Sequence, residues 1–173
     1  LRTINAIKNN EKIGIFGDYD VDGATSTALL GKYFEELGIS YEIYIPDRKT
    51  EGYGPSIKGF KELIDKKVNV IFTVDCGTLS FEAIEYAKNK NLDVIVLDHH
   101  QSEVNLPKAH SIVNPNRIDD KSNLQYLCAA GVTFMFLVSI NKKLRSNSWF
   151  KENKKIEPDL LNLDGSDPGF DPF

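Results

Sequence analysis

Cysteine is scarce in this sequence, long apolar runs are missing and positive charge is in deficit, and each shortage removes a class of protein. The 173 residues include two cysteines, Cys76 and Cys128, with neither a CxxC partner nor metal-ligand spacing. A disulfide framework and a thiolate zinc site both lack support, so a buried free thiol is expected at each position and a reducing cytoplasm is the expected compartment. No uninterrupted apolar run approaches the ~18 residues of a membrane span. Leu1 to Glu11 is too polar for the apolar stretch of a secretory signal, so neither a membrane nor export is expected. With 21 Lys and Arg against 25 Asp and Glu, the net charge is -4, which argues against nucleic-acid binding by global positive charge. One basic stretch remains, comprising Lys142, Lys143, Arg145, Lys151, Lys154 and Lys155 with Glu152 among them. Such a run is more often a solvated helix face than a binding site.

Hydrophobic positions make up 41% of the chain, enough for one globular unit with a real core. Lys12 to Phe16, Tyr41 to Ile45, Val68 to Val74, Asp93 to Leu97 and Ser111 to Val113 are rich in β-branched and aromatic residues and read as strands. Helical periodicity lies between them. Ala24 to Leu37 aligns Ala28, Leu29, Phe34 and Leu37 before Gly38 ends the helix; Ser56 to Lys66 aligns Ile57, Phe60, Leu63 and Ile64. Ser80 to Asn89 forms a third helix with Ser80 placed to cap it, and Gln125 to Leu144 a long apolar one that buries Leu127, Val132, Phe136, Val138 and Leu144. The alternation predicts an α/β fold, a mostly parallel sheet of about five strands with helices on both faces. After Leu163 the prolines and glycines of residues 164–173 predict a disordered or loosely docked tail.

In open α/β sheets, ligands bind beyond the carboxyl ends of the strands. The first strand ends in Gly17-Asp18-Tyr19-Asp20-Val21-Asp22-Gly23, the third in Thr73-Val74-Asp75-Cys76-Gly77 and the fourth in Leu97-Asp98-His99-His100. If these ends converge, Asp20, Asp22, Asp75 and Asp98 crowd about four negative charges into a small space, and no Lys or Arg lies within the three segments to offset them. Divalent cations would. An extended Asp-x-Asp would set Asp20 and Asp22 on one side, about 6.5–7 Å apart, each reaching a different ion of a pair that Asp75 could bridge. Carboxylates and imidazoles without thiolate favour manganese or magnesium, and the imidazole tilts the choice to manganese. Two such ions normally serve phosphoryl chemistry, which indicates a phosphoester hydrolase.

Blander readings compete. An isolated aspartate before a helix is more often an N-cap than a ligand, and a lone histidine such as His110 is more often structural. Asp18-x-Asp20-x-Asp22-Gly23 matches half of an EF-hand loop, but Leu29 occupies the twelfth position, where a bidentate Glu is required. Asp20 to Thr25 resembles the nucleophile loop of haloacid-dehalogenase-type phosphatases, which do not need an Asp-His-His strand end.

Taken together, Gly17 to Thr25, Thr73 to Gly77 and Val96 to His100 resemble the three first motifs of the DHH phosphoesterase superfamily, and within it the RecJ-type single-strand-specific exonucleases. Further matches are Ile45 to Arg48, Glu51 to Gly54, Val113 to Asn116 and Cys128 to Val132, so the resemblance runs from Lys12 to about Leu163. It implies two manganese ions held by Asp20, Asp22, Asp75 and His99, with Asp75 shared. It also implies that Asp98 orients a neighbouring imidazole, that His100 faces the scissile phosphate or leaving oxygen, that Asp18 assists, and that Arg48 grips a substrate phosphate. The implied activity degrades single-stranded DNA from the 5′ end in recombination and repair, with Tyr19 and Tyr53 as candidates for base stacking, although packing is the commoner role for either.

The family pattern also leaves gaps. Some members carry a histidine where Phe16 stands, and a fourth motif supplies a metal-binding aspartate just beyond a segment like Asp159 to Leu163. Asp164, Asp167 and Asp171 do not sit in that context. The resemblance therefore implies a partial DHH domain over residues 1–163, a truncated form with an open half-site, exposing apolar residues such as Phe134 and Phe136. The alternatives are a small-substrate DHH phosphodiesterase acting on nanoRNA or cyclic dinucleotides, and a fragment that binds single strands without turnover.

Overall fold

A computed structural model describes residues 2–160. The expected tail at 164–173 and the aspartates Asp164, Asp167 and Asp171 lie outside the described residues. The elements follow in the order α1 (Arg2–Lys8), β1 (Ile13–Gly17), α2 (Val21–Glu36), β2 (Tyr41–Tyr44), α3 (Ile57–Asp65), β3 (Val70–Val74), α4 (Phe81–Asn89), β4 (Asp93–Leu97), β5 (Ser111–Val113), α5 (Ala129–Ser146) and α6 (Trp149–Glu152). The five strands pair in parallel in the order β2-β1-β3-β4-β5, so the anticipated α/β sheet is present. In this strand order the chain reverses direction across the sheet between β1 and β3, and loops leaving those two strands diverge to open a crevice.

Alternation along the strands divides the core into two layers. Ile13 and Ile15 of β1, Val70, Phe72 and Val74 of β3, and Ile95 and Leu97 of β4 pack with α1, α2 and α5. Phe16, Ile71, Val94 and Val96 face the other way, towards α3 and α4. Each fully buried side chain of this size contributes about 1.5–3 kcal/mol. Phe72 is wedged between Phe34 and Phe136, with ring centroids at 5.6 and 5.8 Å. Phe136 is thus half-buried against the core, as Phe134 is half-buried beside it on α5, so the exposure expected of the two is only partial.

The helix ends correct several sequence readings. The second helix starts at Val21 instead of Ala24, because Asp20 is its N-cap and accepts from the Gly23 N–H at 2.9 Å. Asp22 consequently sits in the first helical turn, and the extended Asp-x-Asp geometry is wrong. Its C-terminus is as expected: Gly38 takes φ +70°, and the N–H groups of Gly38 and Ile39 bond back to Glu35 and Phe34. Ser80 makes no side-chain cap, since its ψ of 63° lies off the extended conformation that such a cap uses. The last long helix begins at Ala129, not Gln125, because its cap comes from far away: Asp22 accepts from the N–H groups of Ala129 and Ala130 at 2.7 and 2.8 Å. The short helices α1 and α6 have no counterpart in the sequence reading. Cys76 is buried as expected, whereas Cys128, at the N-cap of α5, is exposed. Among the described residues, no helix is long and apolar enough to cross a membrane.

One glycine is fixed by contact. A Cβ on Gly23 would lie 2.6 Å from the carbonyl oxygen of Asp18 and 2.7 Å from its Cβ, and a backbone atom cannot swing aside as a side chain can. Gly23→Ala is expected to destabilise the fold by about 1–3 kcal/mol, the range for overpacking. Urea unfolding in the presence of a chelator measures it, and an unchanged midpoint would show that the β1–α2 turn is loose.

Candidate metal centre

The sheet delivers three carboxyl-terminal strand ends to one edge, and their polar residues meet there. Asp18 follows β1 and is buried, with its Oδ1 accepting from the Tyr19 N–H at 2.9 Å. Asp75 follows β3 and is 1% exposed. Its φ of +59° places it in the left-handed region, which an aspartate tolerates at a cost of about 1 kcal/mol. That turn aims the carboxylate into the crevice between β1 and β3. Asp98, His99 and His100 follow β4.

Two groups of side chains offer ligand atoms that all lie within 4.8 Å of one another: Asp75 with His99 and His100, and Asp18 with Asp20 and Asp75. Asp75 belongs to both. His99 Nε2 is 3.3 Å from Asp75 Oδ1 and 3.6 Å from Asp22 Oδ2, which brings Asp22 to the same place from the first turn of α2. The structure therefore assembles Asp18, Asp20, Asp22, Asp75, His99 and His100, and gives Asp18 a more central position than the sequence suggests.

Electrostatics separate the acids. Burial, reinforced by Asp22 and by close approach to Asp20, pushes the Asp75 carboxyl up to about 8. Its buried Oδ1 has no hydrogen-bond donor. Burial likewise raises Asp18, while the Gly23 N–H holds Asp20 below its ordinary value. Burial would also raise Asp98, but donors outweigh it and keep it at about 2. Those donors are His100 Nδ1 at 2.8 Å and the N–H groups of His99, Thr78 and His100 at 2.7, 3.0 and 3.2 Å. The same Asp98 contact raises His100 above the usual imidazole value, against the opposing effect of burial.

Several supports went unread in the sequence. The buried Asn114, just after β5, donates to Thr78 Oγ1 and to the His100 carbonyl, both at 2.8 Å, and accepts from the Asn116 N–H. Asn116 in turn donates to the His99 carbonyl. Asn114-Pro115-Asn116 was the available signal, since two side-chain amides straddling a proline at a strand end can fasten a neighbouring loop. Tyr53, whose sequence context suggests packing or stacking, instead has its hydroxyl 3.1 Å from the Asp75 carbonyl and 3.1 and 3.2 Å from the two ring nitrogens of His100.

Other candidates fall elsewhere. Arg48 is exposed in the turn after β2, with its guanidinium 5.5 Å from the centre of the Tyr19 ring, and among the described residues it pairs with none of the clustered acids. His110 faces Asp93 at 3.4 Å, at the start of β4 and thus the opposite end of the sheet. The basic stretch belongs to the far end of α5, to α6 and to the residues just after it, beginning about 20 Å along the helix from the end that Asp22 caps. Within it Arg145 is paired with Glu157.

The donor set fits divalent cations. A buried carboxylate oxygen without a hydrogen-bond donor, packed against two further carboxylates, has only imidazoles and no Lys or Arg against it to offset its charge among the described residues. Residues 12–163 match the DHH family, N-terminal domain. The chain belongs to the DHH family. Over 162 residues, or 92% of its length, this DHH chain is 38% identical to the single-stranded-DNA-specific exonuclease RecJ of Haemophilus influenzae. Over 160 residues it is 36% identical to the RecJ of Escherichia coli. It spans 28% of the length of each of these relatives. A crystal structure of exonuclease RecJ bound to manganese superposes with a TM-score of 0.74 at 26% identity, covering 95% of this chain and 40% of that one.

The position of Asp75 has a thermodynamic signature in the metal-free DHH fold. Its folded-state pKa of about 8 lies above the unfolded value of 3.8, so the folded state holds the proton longer. Stability due to this group is greatest below the unfolded value and declines as pH rises towards about 8. In chelator, Asp75→Asn is therefore expected to stabilise the fold at pH 8 by on the order of 2 kcal/mol, and to change it little near about pH 4. Denaturant titrations at the two pH values check this, and equal effects at both would show that Asp75 is not strained by its neighbours.

Proposed function

We propose that this chain carries the metal centre of a RecJ-type phosphodiester hydrolase, a nuclease acting on single-stranded DNA from the 5′ end. The carrying observation is that Asp75 is common to both ligand groups, as a carboxylate shared by two cations must be. Further support comes from the RecJ names of the relatives and from the manganese in the similar crystal structure. The proposed ligands are Asp20, Asp22, Asp75 and His99, with Asp18 beside Asp20 in the second group. Manganese is the preferred ion and magnesium the alternative. Bound there, the pair would lower the pKa of an attacking water and neutralise charge gathering on the phosphate oxygens.

The remaining residues orient and hold. Asp98 engages His100 Nδ1 at 2.8 Å, fixing the ring that is proposed to face the scissile phosphate or leaving oxygen. Asn114 and Asn116 clamp the carbonyls of His100 and His99 and so set where both rings emerge. Arg48, its guanidinium 5.5 Å from the centre of the Tyr19 ring, is the proposed holder of a substrate phosphate, through its planar fork of donors. The DHH unit extends over residues 1–163 with a divergent segment after it, and a role in DNA recombination and repair places the enzyme in the cytoplasm.

In manganese, the purified chain is expected to release mononucleotides from 5′-phosphorylated single-stranded DNA. Asp75→Ala should lower the rate by about a hundredfold or more, since losing a ligand costs at least as much as losing a group that supports one. Undiminished release by Asp75→Ala would sink the reading. Tight manganese binding with no release from long strands or dinucleotides would replace it with single-strand binding without turnover.

A further inference from the structure

We infer that Tyr53 is a positioning residue of the metal centre, holding Asp75 and His100 in register through one hydroxyl group. This rests on the metal-centre reading above and concerns a residue to which that reading gives no part. Tyr53 sits between Gly52 and Gly54, whose φ values of +77° and +80° fold the segment after β2 into a double bend that few other residues could adopt. The bend is anchored at its root. The Glu51 carboxylate accepts from the Tyr44 hydroxyl at 2.5 Å and from the Asp47 N–H at 3.2 Å, and pairs with Lys58 of α3 at 3.3 Å. Tyr53 is thereby carried from the β2 side of the sheet across to the ends of β3 and β4.

There its hydroxyl meets two groups that come from different strands. The Asp75 carbonyl, 3.1 Å away, belongs to a residue with φ +59°, and a non-glycine residue keeps that conformation only where its surroundings over-determine it. One determinant is the Asp75 N–H bond to the Leu97 carbonyl at 2.9 Å; the Tyr53 hydroxyl is a second, on the other side of the same residue. The His100 ring lies edge-on to Tyr53 with centroids 5.6 Å apart; Asp98 engages its Nδ1 at 2.8 Å, and the Tyr53 hydroxyl lies 3.1 and 3.2 Å from its two ring nitrogens. A phenol that ties the backbone of the shared carboxylate to the neighbouring imidazole fixes the spacing of ligand atoms without being a ligand itself. Outer groups of this kind typically contribute about 10–100-fold to metal affinity.

The test is manganese titration by calorimetry on the whole chain, comparing wild type, Tyr53→Phe and Asp75→Ala, together with thermal unfolding in chelator and the ring NMR signals of the three histidines. Tyr53→Phe keeps the ring and removes only the hydroxyl. It is expected to weaken manganese binding roughly tenfold, to move the His100 ring signals while those of His110 stay in place, and to leave the metal-free unfolding midpoint within about a degree or two. Manganese affinity and His100 signals equal to wild type would overturn the inference alone, as would a loss of affinity matched by a general loss of fold. A wild-type chain that binds no manganese would overturn the metal-centre reading and this inference with it.

Discussion

The whole arrangement depends on a buried carboxylate that the protein satisfies only in part. Asp75 is buried, adopts a left-handed backbone conformation, approaches two other acids and leaves one oxygen with no donor. Each of these features opposes folding, and burying an unpaired charge is the most expensive of them. The sheet tolerates the cost because both strands beside the crevice are buried along their full length, and hydrophobic burial of about 1.5–3 kcal/mol per large side chain outweighs one misplaced acid. A binding site for small, hard cations is what such a debt of positive charge amounts to physically.

Asp98 supplies the contrast. It is as buried as Asp75, yet the two shift in opposite directions, to about 2 and about 8. Burial alone cannot distinguish them. The difference lies in donors: Asp98 receives three backbone N–H groups and an imidazole, whereas Asp75 Oδ1 receives none. The Asp98 charge is spent on holding the strand end and the His100 ring, and the Asp75 charge remains free to hold something from outside the chain.

The sheet was legible because its strands are apolar runs of β-branched residues separated by helical periodicity, a signal carried by neighbours in the chain. The edge where the acids gather was legible for the same reason, since strand ends follow once strands are placed. Local chemistry was harder to read. Asp20-Val21-Asp22 looks alike whether the backbone is extended or entering a helix, and the Gly23 N–H that makes Asp20 a cap tipped it into the helix. Long-range partners left no trace. The start of α5 depends on an acid 107 positions away, and Tyr53 reaches His100 across 47. Spacing along the sequence records neither contact.

Asp20 and Asp22 also show that capping and metal binding need not be rival roles. A carboxylate has about four lone-pair sites, and Asp22 uses two of them on the first N–H groups of α5, where the helix dipole adds partial positive charge. Asp20 spends one on Gly23. Both remain able to accept a cation, and both are aimed by a helix instead of by flexible rotamers, so little conformational entropy is lost when a ligand arrives. Because these two acids are already partly neutralised by N–H groups and Asp75 is not, the strongest pull on an incoming cation falls on Asp75. The helix ends set the outer edges of the site, and the buried carboxylate between them sets its centre.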